Sequence, residues 1–120
     1  MSIVSTANAP HYHWSQSCDG WHLLALDELS VIEERMPPGS FEQRHRHTRA
    51  RQFFYALEGE VTIELEGNVH RLHGGEGLQV PPGSAHQVRN DGAADARFVV
   101  VSSPKSHGDR MAAPQEGTSL

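Results

Sequence analysis

Three histidines and one glutamine in the middle of the chain have the spacing expected of a metal site. His45 and His47 are separated by one residue, Gln52 follows five residues after His47, and His86 comes later. Alternate side chains of a β-strand share one face, so an extended segment would point His45 and His47 the same way. The step from His47 to Gln52 is odd, so the chain must turn between them to bring Gln52 to that face.

Imidazole nitrogens and an amide oxygen can together hold one divalent transition metal. Neutral imidazoles suit Fe, Mn, Co, Ni, Cu or Zn, so the ligand types leave the metal open. We therefore predict a metal site formed by His45, His47, Gln52 and His86. Two alternatives remain: the histidines could form a half-exposed polar face, and Gln52 could orient a water or a histidine without ligating. His11, His13 and His22 could in principle bind metal, but they have no partner at a supporting spacing and are left outside the predicted site.

Short apolar or alternating segments surround these residues and predict an all-β fold. The predicted strands are residues 21–25, 29–36, 41–47, 53–57, 61–65, 86–90 and 97–101. Glu58-Gly59 is predicted as a hairpin turn and Gly67-Asn68 as a second tight turn. Four aromatic residues are predicted to fill the core, although one or two of them could line a pocket: Phe53, Phe54, Tyr55 and Phe98. No segment has helical periodicity.

The length of 120 residues predicts a single domain in three parts. Residues 1–20 are predicted to be an N-terminal arm that packs on the barrel or on a partner. Residues 21–103 are predicted to form the barrel. Residues 104–120 are rich in Pro, Gly, Ser and Ala and predict a loose C-terminal tail. The alternative for this tail is that it folds back over the barrel mouth.

Composition excludes several classes of partner. The net charge of -5 argues against nucleic acid and anionic membranes. No apolar run is long enough for a membrane span, and the N-terminal residues lack the basic start and apolar stretch of a signal peptide. Cys18 is the only cysteine, so no internal disulfide can form. We expect a cytoplasmic protein.

Two motifs in this chain resemble those of the cupin superfamily. The first is Gly39, any five residues, His45-x-His47, any four, Gln52, any six, Gly59. The second is Gly75, any five residues, Pro81-x-Gly83, any two, His86, any three, Asn90. Gln52 stands where the family usually has Glu. The resemblance implies a single conical β-barrel, also described as a double-stranded β-helix of jelly-roll type, in the compact form of single-domain bacterial cupins.

The resemblance implies a metal-dependent enzyme that acts on a small oxygenated compound, either enolisable or anionic. Dioxygenase-like and isomerase- or cyclase-like chemistry are both open. Gln52 leaves the charge of the ion uncompensated, which favours anionic oxygen ligands, but it removes a possible base. Arg49 and Arg51 could steer an anion to the site, or simply be solvated. The alternative function is non-catalytic binding or sensing of a sugar or acid. Homodimerisation is expected, since cupins of this size commonly pair.

Overall fold

The computed structural model describes residues 2–15 and 17–114 of the chain. Residues 1 and 16 of the predicted arm and residues 115–120 of the predicted tail lie outside the described residues. The described part contains no helix. It contains the strands β1 (His11–Trp14), β2 (Cys18–Ala25), β3 (Ser30–Met36), β4 (His45–His47), β5 (Arg51–Glu58), β6 (Val61–Leu65), β7 (Asn68–Leu72), β8 (Gly77–Val80), β9 (His86–Arg89), β10 (Ala96–Ser103) and β11 (Arg110–Ala112).

The strands form two antiparallel sheets. The first sheet has six strands in the order β1-β2-β3-β10-β5-β8, and the second has five in the order β11-β4-β9-β6-β7. Buried apolar residues from both sheets form one core between them, including Phe54 and Phe98 from the first sheet and Ile63 and Val88 from the second. The predicted all-β, double-stranded β-helix fold is confirmed, with two separate sheets in place of one closed barrel.

Alternation along β5 decides which aromatic residues reach the core. Phe54 is buried on the inner face, whereas Phe53 and Tyr55 point outward with 43% and 41% of their surface exposed. The prediction that Phe53 and Tyr55 belong to the core is therefore wrong. Successive residues of a strand face opposite sides, so an unbroken aromatic run must place part of itself outside. Phe54 and Phe98 do pack together, with ring centroids 5.9 Å apart.

One of the two predicted turns joins different sheets. Glu58-Gly59 leads from β5 in the first sheet to β6 in the second, so the predicted hairpin at this place is wrong. Gly59 has a φ of +70°, and a Cβ atom there would lie 2.3 Å from the carbonyl oxygen of Asp95, so only glycine fits. The second turn does connect paired strands, β6 and β7, because Leu65 pairs with Asn68.

A segment near each end of the described chain belongs to the sheets. β1 pairs with β2 of the same chain, and β2 already begins at Cys18, before the predicted start of the barrel. β11 pairs with β4, with Arg110 opposite His47 and Ala112 opposite His45. Residues 110–112 are therefore ordered as a strand, in contrast to the predicted loose tail. The alternative of a C-terminal segment folded back onto the barrel describes them better.

Candidate metal centre

Neighbouring strands of the second sheet bring three histidines onto its inner face. Along β4, His45 and His47 are buried and Arg46 between them is exposed, as strand alternation requires. His45 pairs directly with His86 of β9. The three rings therefore meet, with centroid separations of 4.8 Å for His45–His47, 4.4 Å for His45–His86 and 5.9 Å for His47–His86. One ring nitrogen from each residue lies within 4.8 Å of the others.

Backbone carbonyls orient two of these rings. Nδ1 of His45 lies 2.9 Å from the carbonyl oxygen of Gln43, and Nδ1 of His86 lies 3.0 Å from that of Ser84. A nitrogen facing a carbonyl oxygen must carry the proton, so Nε2 of each neutral ring keeps its lone pair. Carbonyl acceptors of this kind are the usual partners that fix the tautomer of a metal-binding histidine.

Burial keeps the three rings neutral. It lowers the pKa of His45 to about 3 and, together with the neighbouring His86, lowers that of His47 to about 4. Burial also lowers the pKa of His86. At neutral pH none of these rings carries a proton on both nitrogens, and the neutral form is the one that binds metal ions.

The fourth predicted residue comes from the opposite sheet. Gln52 lies on the buried face of β5, directly opposite Ser102 of β10, and its Nε2 donates a hydrogen bond of 3.0 Å to Ser102 Oγ. This bond points the amide nitrogen toward β10 and leaves Oε1 as the free end of the side chain. Gln52 lines the same cavity as His45 and His47.

Unpartnered polar atoms are concentrated in this site. Among the described residues, four buried side-chain atoms lack a hydrogen-bond partner: His47 Nδ1, Gln52 Oε1, Thr62 Oγ1 and His86 Nε2. Three of the four belong to the predicted site. Buried polar groups are nearly always paired, so unpaired nitrogen and oxygen atoms on three of the four predicted residues indicate a site that can bind a ligand. The donor set fits a divalent transition metal and leaves its identity open.

A carboxylate from the C-terminal segment holds the turn between His47 and Gln52. Asp109 accepts hydrogen bonds from the backbone N–H groups of Thr48 at 3.1 Å, Arg49 at 3.0 Å and Ala50 at 2.8 Å. It also accepts one from the Thr48 hydroxyl. Burial alone would raise the pKa of Asp109, but these bonds outweigh it and hold the pKa well below its ordinary value. The turn that the odd spacing predicts is thus fixed by a residue sixty positions away.

The cluster opens into a cavity of about 650 Å³ between the sheets. Trp14, Ile32, Phe54 and Val100 supply apolar walls. This volume is within the range that small-molecule sites occupy, and apolar walls with a few polar groups are their usual lining.

The cavity also contains acidic groups that sequence reasoning missed. Glu34 and Glu42 both line it, and burial raises their pKa values to about 7 and about 8. Tyr12 donates a hydrogen bond of 3.2 Å to Glu34 Oε2. The sequence did contain a signal for an acidic group in the cavity. Glu33 and Glu34 are successive residues of a strand, so one of them must face inward.

Two arginines of the segment 44–51 have side-chain partners outside the cavity. Arg44 pairs with Glu64 at 2.6 Å, and Arg51 contacts Gln79 on the exposed face of β5. Neither Arg49 nor Arg51 lines the 650 Å³ cavity. Its lysine and arginine, Lys105 and Arg110, both come from the C-terminal segment.

No helix among the described residues is long and apolar enough to cross a membrane.

Comparison with known proteins gives a family match and several relatives. A family model described as a cupin domain matches residues 32–102. The chain is 35% identical over 69 residues to the polyketide synthase protein CurC of Streptomyces cyaneus, a match that covers 58% of this chain and 45% of CurC. The chain thus spans less than half the length of that relative.

Two further proteins match a larger share of both chains. The oxalate-binding protein of Thermotoga maritima is 26% identical over 85 residues, which are 67% of this chain and 70% of that protein. The solved structure of the polyketide cyclase RemF from Streptomyces resistomycificus has a TM-score of 0.80 and 20% identity, and covers 97% of this chain and 88% of RemF. A likeness at this identity shows the fold.

Proposed function

The chain belongs to the cupin family, and from this premise we propose that it is a metal-dependent enzyme acting on a small, enolisable, oxygenated compound. In this proposal His45, His47 and His86 bind one divalent transition metal, and Gln52 is the fourth protein ligand. The chemistry is of the isomerase or cyclase type, in which protons move and oxygen is not consumed.

One observation carries this proposal. Three neutral imidazoles offer ligand atoms within 4.8 Å of one another, and two of them, His47 and His86, have an unpartnered buried ring nitrogen. Gln52 Oε1 is also unpartnered, and Gln52 lines the same cavity as His45 and His47. Leaving such atoms unpaired costs about 1–3 kcal/mol for each group, which a bound ion would offset. A structural role alone gives no reason to keep four polar side chains buried between the two sheets.

A bound divalent ion would supply Lewis acidity to a carbonyl or enolate oxygen of the substrate. The four side chains of the protein add no negative charge to that ion, since Gln52 replaces the usual Glu. An anionic oxygen ligand is therefore favoured over a neutral one, because none of the four protein ligands compensates the charge. Arg110 also lines the cavity, and its positive charge likewise favours an anionic ligand.

Glu34 is the residue we assign to proton transfer. Gln52 cannot accept a proton, whereas the carboxyl of Glu34 lines the same cavity and has a pKa raised by burial to about 7. A group with this pKa can both take and return a proton near neutral pH. Tyr12 holds it in place by donating to Oε2, which leaves Oε1 to face a substrate.

The names of the relatives support this choice of chemistry. CurC is a polyketide synthase protein and RemF is a polyketide cyclase. Such proteins handle chains of alternating carbonyl groups, which are enolisable and chelate metals. We therefore favour this substrate class over the flavonol-type substrates of dioxygenases.

The proposal is tested in two stages. Elemental analysis of untagged protein purified without added metal should find a transition metal, or titration should load one equivalent. Less than a tenth of an equivalent, with no uptake on titration, would contradict a metal site. The loaded protein is then incubated in D₂O with α-hydroxyketones, β-keto acids and 1,3-diketones, and deuterium exchange at the α-carbon is followed by NMR. We expect exchange that Glu34→Gln slows at least tenfold, with Glu33→Gln on the outer face as the matched control.

The second candidate is non-catalytic binding, which the oxalate-binding relative favours. A binding protein would take up oxalate or a similar small acid with saturation, and would accelerate neither deuterium exchange nor oxygen consumption. Oxygen uptake by the Fe-loaded protein would instead indicate dioxygenase chemistry. Deuterium exchange, acid binding and oxygen uptake can all be measured on the same samples, and each of the three functions predicts a different result.

The proposal extends to a homodimer in the cytoplasm. Phe53, Tyr55 and Leu57 expose 41–43% of their surface along the outer face of β5, which gives a second copy an apolar strip to cover. Tyr55→Lys should convert a dimer to a monomer in sedimentation analysis. A wild-type monomer at all concentrations would contradict this part. The cytoplasmic location stays a prediction from the single cysteine.

A further inference from the structure

A second cluster of metal-ligating side chains lies on the hairpin of β1 and β2. His11 and His13 alternate along β1 and therefore share one face. Asp19 of β2 lies directly opposite His13 in the strand register. One potential ligand atom from each of the three residues lies within 4.8 Å of the others.

The carboxylate of Asp19 is the centre of this cluster. Its Oδ1 lies 2.7 Å from His11 Nε2 and 3.2 Å from His13 Nδ1, and the two imidazole rings are nearly perpendicular with centroids 4.7 Å apart. Ligands bound tetrahedrally at the usual zinc distances are about 3.3 Å from one another. Shifts of a few tenths of an ångström would admit an ion between these atoms.

The carboxylate is held in place before any ion binds. Asp19 Oδ2 accepts a hydrogen bond of 2.7 Å from Arg35 Nε, and Arg35 also donates to the carbonyl oxygen of Ser17 at 3.1 Å. Trp14 Nε1 donates to the backbone oxygen of Asp19 at 3.1 Å. The charge of Arg35 opposes a cation, but this guanidinium is shared with Asp95 at 3.0 Å. The local sum is therefore negative before the histidines are counted.

We propose that His11, His13 and Asp19 form a second metal site, on the surface and separate from the buried cluster. It takes one Cu²⁺, Ni²⁺ or Zn²⁺ ion through two imidazoles and one carboxylate. The side chains of His11 and His13 are 37% and 74% exposed, so water or an external ligand can occupy the remaining coordination positions. Cu²⁺ is expected to bind most tightly, in keeping with the general order for nitrogen and oxygen ligands.

The hairpin contains its own optical probe for this site. Trp14 and Trp21 are the only two tryptophans of the chain, one on each strand of the hairpin. The ring of Trp21 lies 5.3 Å from that of His11. Cu²⁺ bound to His11 would therefore quench the tryptophan fluorescence, whereas Zn²⁺ would not.

The test titrates untagged, full-length protein with Cu²⁺ and follows tryptophan fluorescence, with Zn²⁺ binding measured by calorimetry. Because Trp14 also lines the buried cavity, the titration is repeated in His86→Ala, which weakens the buried cluster. We expect saturable quenching that His13→Ala weakens at least tenfold in apparent Kd, and a Zn²⁺ equivalent that the same variant loses. His73→Ala is the matched control, because His73 is an exposed histidine that also contacts a carboxylate, that of Glu60 at 3.1 Å.

Two results would overturn the proposal. One is quenching and Zn²⁺ uptake that His11→Ala and His13→Ala leave unchanged. The other is an equal loss in His73→Ala, which would indicate nonspecific surface binding. Neither outcome bears on the buried cluster, whose ion would still be measured by elemental analysis in the same variants.

Discussion

The two histidine pairs of this chain have the same spacing and opposite surroundings. His45 and His47 lie on an inner strand of the second sheet, between β11 and β9, whereas His11 and His13 lie on the edge strand of the first. The first pair is buried and the second is exposed. The His-x-His spacing therefore determines only that the two rings share a face. Whether that face is packed inside the protein or exposed to water determines whether the two rings are buried and neutral or solvated.

Because of this difference, a bound metal ion should stabilise the folded state to different extents at the two clusters. The buried cluster keeps unpaired polar atoms inside the protein, so an ion there should stabilise the folded state strongly. The hairpin cluster already satisfies its atoms through Asp19, and its histidines have water beside them. An ion there should bind with little gain in stability. The predictions below change the buried cluster or the turn beside it, and those that change a cluster residue also compare the result with the hairpin.

The largest effect is expected from His86→Ala. Removing one of three imidazoles should weaken metal binding at the buried cluster by more than about 100-fold, since even residues that only orient ligands contribute 10–100-fold. Elemental analysis after dialysis would measure this, with circular dichroism to verify folding. The part of the Cu²⁺ quenching that depends on His13 should not change. His70→Ala is the control, and equal metal loss in that variant would contradict the assignment.

The next effect is expected from Asp109→Ala, which removes the hydrogen bonds to the turn at residues 48–50. Each hydrogen bond to a charged group contributes about 1.5–3 kcal/mol, so losing several of them should lower the free energy of unfolding by at least about 3 kcal/mol. Metal affinity at the buried cluster should also fall about tenfold, because His47 and Gln52 flank this turn. Urea denaturation and metal titration measure the two effects. Asp91→Ala, an exposed aspartate on another loop, should change neither.

The pH dependence of stability should reveal the contribution of the buried, neutral His45 ring. Burial lowers the pKa of His45 to about 3, while an unfolded histidine titrates near about 6.5. As pH falls below 6.5 the unfolded chain gains protons that the folded His45 does not, so the stability contributed by the neutral ring is lost. In metal-free protein, wild type should lose about 1.4 kcal/mol per pH unit relative to His45→Gln between pH 6 and 4.

The comparison with His45→Gln matters because two carboxyl groups act in the opposite direction. Burial raises the pKa values of Glu34 and Glu42, so their protonation stabilises the fold as pH falls. Taking the difference between wild type and variant removes this shared contribution. A constant difference across the range would contradict the burial of a neutral ring at position 45. Measured in parallel, His13→Ala should show the same pH dependence of stability as wild type, because it leaves the buried cluster intact.

The smallest effect is expected from Gln52→Glu. A carboxylate adds negative charge beside the ion, so metal should bind about tenfold more tightly at the buried cluster. Calorimetry measures this, and the hairpin affinity should stay constant. Ser102→Ala is the control, because it removes the partner of the Gln52 amide without changing charge. Unchanged metal affinity in Gln52→Glu would mean that Gln52 is not a ligand.

The sequence predicted most reliably what depends on local alternation and special backbone residues. The shared face of His45 and His47 and the strand at 61–65 follow from period-two alternation. Glu58-Gly59 was misassigned because a turn signal identifies a change of direction but not the strand that the chain pairs with next. Asp19 escaped notice as a partner of His13 for the same reason, since the register of β1 and β2 is needed to place it opposite.

The cavity carboxyls and the C-terminal segment depend on still longer-range information. Glu34 looks like any charged residue of a half-exposed strand until the opposite sheet is placed over it. The composition of residues 104–120 resembles a solvated tail, yet Asp109 finds three backbone N–H groups about sixty residues earlier. Composition carries no information about such a partner, so the loose-tail prediction failed where tertiary contacts replaced local preference.

The hydrogen bonds between Asp109 and residues 48–50 also bear on the order in which the parts of the chain fold. Closing a loop of this length must precede any gain from the contact, and distant pairings form late for that reason. The hairpin of β1 and β2 joins neighbouring residues and can form early. A refolding chain should therefore acquire copper-dependent quenching well before it can retain an ion between its sheets.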